Sequence, residues 1–124
     1  MGIYADIGGQ DALIVVVDDF YDRVLADPEL AQFFTGVNIA RLKGMQVEFF
    51  AKVLGGPDEY RGRSMKDVHR GLGIARHHFD RVATHLHEAL TAAGVPGETV
   101  KTIIDTVAPL ADDIVSTTTG NTAE

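Results

Sequence analysis

Three side chains stand where a plain apolar core would not need them. Tyr21 falls within the stripe Leu13, Val16, Val17, Phe20 and Val24, and a buried tyrosine usually requires a partner for its hydroxyl. Gln46 interrupts the stripe Leu42, Phe49, Phe50, and a buried amide left unpaired costs roughly 1–3 kcal/mol. His69 lies in the stretch Ser64 to Gly71, with Met65, Val68 and Leu72 beside it at helical spacing, in a helix too short to add much core. An imidazole facing an aromatic-rich chamber that also holds a phenol and an amide is what a haem iron would need. Two plainer readings stay open from the residues alone. His69 could be a satisfied core histidine, and Tyr21 and Gln46 could be each other's hydrogen-bond partners.

The elements that must carry these residues are helical. Leu13, Val16, Val17, Phe20, Tyr21, Val24 and Leu25 follow the i, i+3, i+4, i+7 rule and predict a helix over about residues 10–25, led in by Gly8-Gly9. The run Ile14-Val15-Val16-Val17 favours a strand locally, but Asp18, Asp19, Asp22 and Arg23 interleave at helical spacing. Asp27-Pro28-Glu29 reads as cap, first helical residue and first-turn acid of a short helix that ends near Phe34. Asn38 can cap a helix over about 39–54, stopped by Gly55-Gly56-Pro57. Ser64 and Asp67 open the His69 helix, and Gly71 and Gly73 close it. Phe79, Val82, Ala83, Leu86 and Leu90 make a fourth long helix closed by Gly94. Pro96 begins the last, through Val100, Ile103, Ile104, Val107, Leu110, Ala111 and Ile114, with Pro109 expected to kink or loosen it.

The reading is therefore all-α, one domain over residues 1–115 with a small polar tail over 116–124. Four long helices allow an up-down bundle or a sandwich of crossed pairs. Bundles join their helices by short connections, so the long segment carrying His69 is expected to cover something.

Bulk properties narrow the function. The chain has 124 residues and no cysteine, which rules out disulfides, thiolate catalysis and iron–sulfur clusters. A net charge of −7, from 11 basic against 18 acidic residues, argues against nucleic acid and anionic membrane surfaces as partners. No apolar run approaches the ~20 residues of a membrane span, so no stable membrane insertion is expected. With no basic leader before Ile3, a cytoplasmic location is expected. His77, His78, His85 and His87 cluster on the fourth long helix without the Glu-x-x-His spacing of di-iron bundles, and read as surface or ordinary packing. Asp18-Asp19 and Asp112-Asp113 read as solvated helix faces.

Taken in order, several stretches resemble the truncated haemoglobins of group I, in particular the mycobacterial N-type. They are residues 3–9 (Ile3 to Gly9), Asp19-Phe20-Tyr21-Asp22-Arg23-Val24-Leu25, Phe33-Phe34, residues 41–50 (Arg41 to Phe50), Leu54-Gly55-Gly56-Pro57, Val68-His69-Arg70-Gly71 and His77-His78-Phe79. The likeness runs in register from about Ile3 to Ile114. It implies a truncated globin-like two-over-two helical sandwich around haem b. It also implies His69 as the proximal iron ligand, Tyr21 as the distal hydrogen-bond donor and Gln46 as its support. Leu42 would stand where longer globins often place a distal histidine, Phe34 would pack on the porphyrin, and Phe50 matches a phenylalanine proposed to gate a gas tunnel. Met65, Val68, Leu72 and Ile74 would contact the haem around His69.

The chain departs from that pattern in two places. It begins directly at Gly2-Ile3, without the short basic extension of N-type relatives, and Leu72 stands where an arginine near a propionate is expected. Arg70, Lys43 or Arg76 could take that contact. The activity the resemblance implies is oxidation of nitric oxide by dioxygen to nitrate, dependent on an external electron-donating reductase, with carbon monoxide as a further small ligand. Oxygen storage, transport or sensing without turnover would use the same Tyr21, Gln46 and His69. A cofactor-free helical interaction module is the third class, and it would lack a Soret band.

Overall fold

The computed structural model describes residues 2–55 and 73–115, and every regular element among them is helical. A single turn, α1 (Ile3–Asp6), is followed by α2 (Gly9–Leu25). Gly8 and Gly9 join them at φ +112° and +73°, left-handed backbone that residues with a Cβ adopt poorly. A Cβ at Gly8 would also come within 3.0 Å of the Ala12 side chain. On α2, Leu13, Val16, Val17, Phe20, Tyr21 and Val24 are buried, whereas Ile14 and Val15 face outward at 47% and 61% exposure. Helical period thus overrides the local strand preference of the β-branched run. It buries six large side chains at once while leaving Asp18 and Asp22 in solvent.

Asp27 caps α3 (Pro28–Ala31), its Oδ1 accepting the Glu29 amide at 2.9 Å, and a 3-10 turn over Gln32–Phe34 completes the short element. Asn38 caps α4 (Ile39–Val53) in the same way, accepting from the Arg41 amide at 3.1 Å. The Tyr4 amide donates to the Leu54 carbonyl at 3.1 Å, which docks α1 on the end of α4. Beyond residue 72 come α5 (Arg76–Ala92) and α6 (Gly97–Val107), then a 3-10 turn at Ala108–Leu110 and α7 (Ala111–Ile114). The break falls at Pro109, which has no amide hydrogen to continue the α-helical ladder. The single last helix read from periodicity is therefore three short pieces.

Packing yields two layers of paired helices. α2 lies on α4 and on α5, and α5 lies on α6, which meets the two-over-two expectation. Leu13, Val16, Val17, Val24, Leu30, Leu90, Val100 and Ile103 are the largest of the best-buried side chains, each within 2% of full burial. Side chains of this size contribute roughly 1.5–3 kcal/mol each on burial. Among the described residues no helix is long and apolar enough to cross a membrane. The helix expected over 64–70, with Met65, Val68, His69 and Arg70, lies outside the described residues, as do Leu72 and the tail over 116–124.

Candidate functional site

Between the helix pairs lies a cavity of about 370 Å³, within the range of roughly 300–1,000 Å³ typical of small-molecule pockets. α2 supplies Phe20, Tyr21 and Val24 to its wall, and α4 supplies Leu42, Gln46, Phe49 and Phe50. The opposite wall is His78, Phe79, Val82, Ala83 and Leu86 of α5, and Val107, Leu110 and Ile114 close one end. Phe33, Phe34 and Val37 come from the turn after α3, and Ile74 from the approach to α5. Six of the residues singled out from sequence therefore share one cavity: Tyr21, Phe34, Leu42, Gln46, Phe50 and Ile74.

The aromatic side chains form a continuous edge-to-face array. Phe34 meets Tyr21 with ring centroids 6.0 Å apart, Tyr21 meets Phe20 at 4.9 Å, Phe20 meets Phe50 at 6.4 Å, and Phe50 meets Phe49 at 5.7 Å. Such pairs hold one another in place beyond simple burial, by about 0.5–1.5 kcal/mol each. Tyr21 is thereby fixed on the wall by rings on both sides. Gln46, one turn beyond Leu42, puts the amide on the same cavity.

Of the basic residues considered for an anionic edge of the ligand, Lys43 and Arg76 are engaged elsewhere. The Lys43 ammonium lies 2.6 Å from Asp18 and 3.7 Å from Asp22, away from the cavity lining, and the Asp18 bond holds its pKa above the ordinary lysine value. Arg76 pairs with Asp80 at 3.3 Å and lies over the Phe79 ring, 5.8 Å from its centroid. Arg70 lies outside the described residues.

The α5 histidines divide four ways, where sequence gave them one reading. His87 is exposed and His77 is exposed beside Glu29, whereas His78 lines the cavity with its ring edge-on to Phe33, centroids 4.9 Å apart. His85 belongs to a polar latch around the buried Asp27 that periodicity does not reveal. Asp27, only 5% exposed, accepts from Arg81 Nε at 2.8 Å and Arg81 Nη2 at 2.9 Å, and lies 2.8 Å from His85 Nε2. The Arg81 hydrogen bonds, then that of His85, hold the Asp27 carboxyl well below the usual carboxylate range. This joins the start of α3 to the middle of α5. Phe79 and Val82 were legible as apolar stripe positions, but nothing in the spacing marked them as cavity wall rather than core.

A flat, mostly apolar macrocycle fits such a wall. Its faces would meet Phe, Leu, Val and Ile side chains, and Tyr21 and Gln46 offer hydrogen-bonding groups on the α2/α4 side. The histidine expected to ligate iron, His69, lies outside the described residues.

Comparison with known proteins agrees with this architecture. The family model described as "Bacterial-like globin" matches residues 2–116. The group 1 truncated hemoglobin GlbN of Mycolicibacterium paratuberculosis is 61% identical over 114 residues, covering 92% of this chain and 84% of that protein. The crystal structure of the truncated hemoglobin of Tetrahymena pyriformis in its Fe(III) form superposes with a TM-score of 0.91 at 28% identity, over 94% of this chain and all of that one. The 2/2 hemoglobin of a Synechococcus species, solved in the cyanomet state with covalently attached heme, gives a TM-score of 0.83 at 30% identity, over 92% and 98% of the two chains.

Proposed function

The chain belongs to the bacterial-like globins and, within them, to the group 1 truncated haemoglobins, and from that premise we propose that it oxidises nitric oxide with dioxygen to nitrate on haem b. That it is a haem-binding globin follows from the family; the substrate and the cofactor type are our reading. Haem, when bound, supplies the iron at which a diatomic ligand is held and at which the oxidation occurs.

The protein supplies the surroundings. His69 is proposed as the iron ligand. The apolar side chains of α5 and α6 on the cavity wall lower the local dielectric, which strengthens any polar contact made inside. On the other side Tyr21 is assigned the hydrogen bond to the ligand, and Gln46 is assigned the support of that donor. Leu42, which cannot donate, leaves that task to Tyr21 and shapes the space. Phe34 is assigned packing on the macrocycle, and Phe50 the control of apolar access. A donor of this kind favours a partly charged oxygen ligand over carbon monoxide, since a hydrogen bond to a charged acceptor is worth roughly 1.5–3 kcal/mol. Retaining oxygen strongly suits reaction better than delivery.

The observation that carries the reading is that Tyr21 of α2 and Gln46 of α4 both line one mostly apolar cavity. The overall reaction, nitric oxide plus dioxygen plus one electron giving nitrate, needs an electron from outside the chain. An electron-donating reductase, sharing a cytoplasmic location, is the expected partner. Stopped-flow mixing of the oxygenated protein with nitric oxide tests the proposal. Rapid conversion to ferric protein with stoichiometric nitrate supports it, whereas slow oxidation without nitrate leaves storage or sensing as the function.

A further inference from the structure

We propose that Glu29, His77 and His78 form a second metal site, for a divalent ion of the zinc–copper class, on the outer rim of the cavity. Their candidate ligand atoms all lie within 4.8 Å of one another, and His77 Nε2 is already 3.6 Å from Glu29 Oε1. A tetrahedral zinc ion with bonds near 2.0–2.1 Å holds its ligands roughly 3.3 Å apart, so side-chain rotation alone can close the set. Two imidazoles and one carboxylate suit the borderline ions rather than magnesium or calcium, which prefer all-oxygen shells. Glu29 and His77 are exposed, which leaves positions for water or an outside ligand.

The backbone that carries these residues is held from beneath. Glu29 follows two residues after Asp27, and His77 precedes Arg81 by one turn, so the bidentate pair of buried Asp27 with Arg81 fixes the two helix starts against each other. The Glu29 amide is itself bound to Asp27. The imidazoles of His77 and His78, tilted 43° to each other with centroids 4.0 Å apart, gather beside the Glu29 side chain at this junction.

His78 gives the site a distinctive signature. Its Nδ1 accepts the Ala75 amide at 2.9 Å, so the neutral ring carries its proton on Nε2. Ligation through Nε2 moves the proton to Nδ1, and ligation through Nδ1 occupies the lone pair. Either way the Ala75 amide loses its acceptor and the first turn of α5 loosens. Because His78 also lines the cavity, ion binding and cavity contents act on one imidazole.

Zinc titration of the haem-loaded protein by calorimetry, with amide exchange followed by NMR, tests this. One zinc ion is expected to bind, and Ala75 amide exchange is expected to accelerate with it. Glu29→Gln and His77→Ala, both at exposed positions, should each weaken binding by at least about tenfold, the scale seen even for groups that only support a ligand. His87→Ala, on an exposed part of α5 outside the cluster, should leave it unchanged. Zinc affinity insensitive to Glu29 and His77, or equally lost with His87→Ala, would overturn the assignment, as would binding that leaves Ala75 exchange unaltered.

Discussion

The cavity wall of α2 and α4 and the latch between α3 and α5 use polar side chains in opposite ways. In the latch, the Asp27 carboxylate is surrounded by four groups: two from Arg81, one from His85 and the Glu29 amide. Its oxygens are engaged by protein donors from two helices. In the cavity, Tyr21 and Gln46 sit among apolar side chains and face a space large enough for a ligand. The contrast shows what burial and polarity say together. Polar contacts between Asp27 and α5 tie elements to each other, whereas Tyr21 and Gln46 are proposed to address something that enters the cavity.

That division can be broken from either side. The largest expected effect is on stability: Asp27→Asn leaves Arg81 and His85 facing a neutral amide, and thermal unfolding should show a greater loss of Tm than any other substitution proposed for this protein, with oxygen release unchanged. A parallel change in oxygen release would mean that latch and cavity are not separate. The same residue sets an acid limb. Its folded pKa is depressed below the ordinary value of 3.8, so its contribution is complete above that pH and is lost as pH falls further. Denaturant midpoints measured from pH 6 downward should drop below about pH 4 in the wild type, and that part of the drop should be missing in Asp27→Asn.

Gln46→Leu is expected to speed oxygen release by about two- to tenfold, the value of one neutral hydrogen bond, with little change in Tm. An unaltered release rate would confine Gln46 to packing. The smallest effect belongs to Lys43→Ala, where Asp18 is 62% exposed and the pair is worth at most about 1 kcal/mol. If Lys43→Ala weakened haem retention instead, its ammonium would have to leave Asp18 for the ligand.

Periodicity and caps made the helices legible, because local rules decide them. The α2 stripe, the Asp27 and Asn38 caps and the break at Pro109 all depend on neighbours within one or two turns. The cavity was half legible: Tyr21 and Gln46 stood out as polar residues on apolar stripes beside the aromatics Phe20 and Phe49, but Phe79, Val82 and Leu86 looked like any core positions. The latch was not legible at all. Asp27 satisfied its local role as a cap, and its other partners lie 54 and 58 residues further along the chain. The α5 histidines show the same limit. Spacing placed them on one helix, but only the packing of α3 against α5 distinguishes His78 at the cavity from His85 in the latch and His77 beside Glu29.

The central claim is that Tyr21 holds the ligand while the aromatic array holds Tyr21. Tyr21→Phe removes the hydroxyl and keeps the ring between Phe20 and Phe34, so the most direct test is the oxygen dissociation rate of that variant, measured by stopped-flow displacement with carbon monoxide. Release about ten- to a hundredfold faster than in the wild type is expected, at nearly unchanged Tm. An oxygen dissociation rate equal to that of the wild type would contradict it.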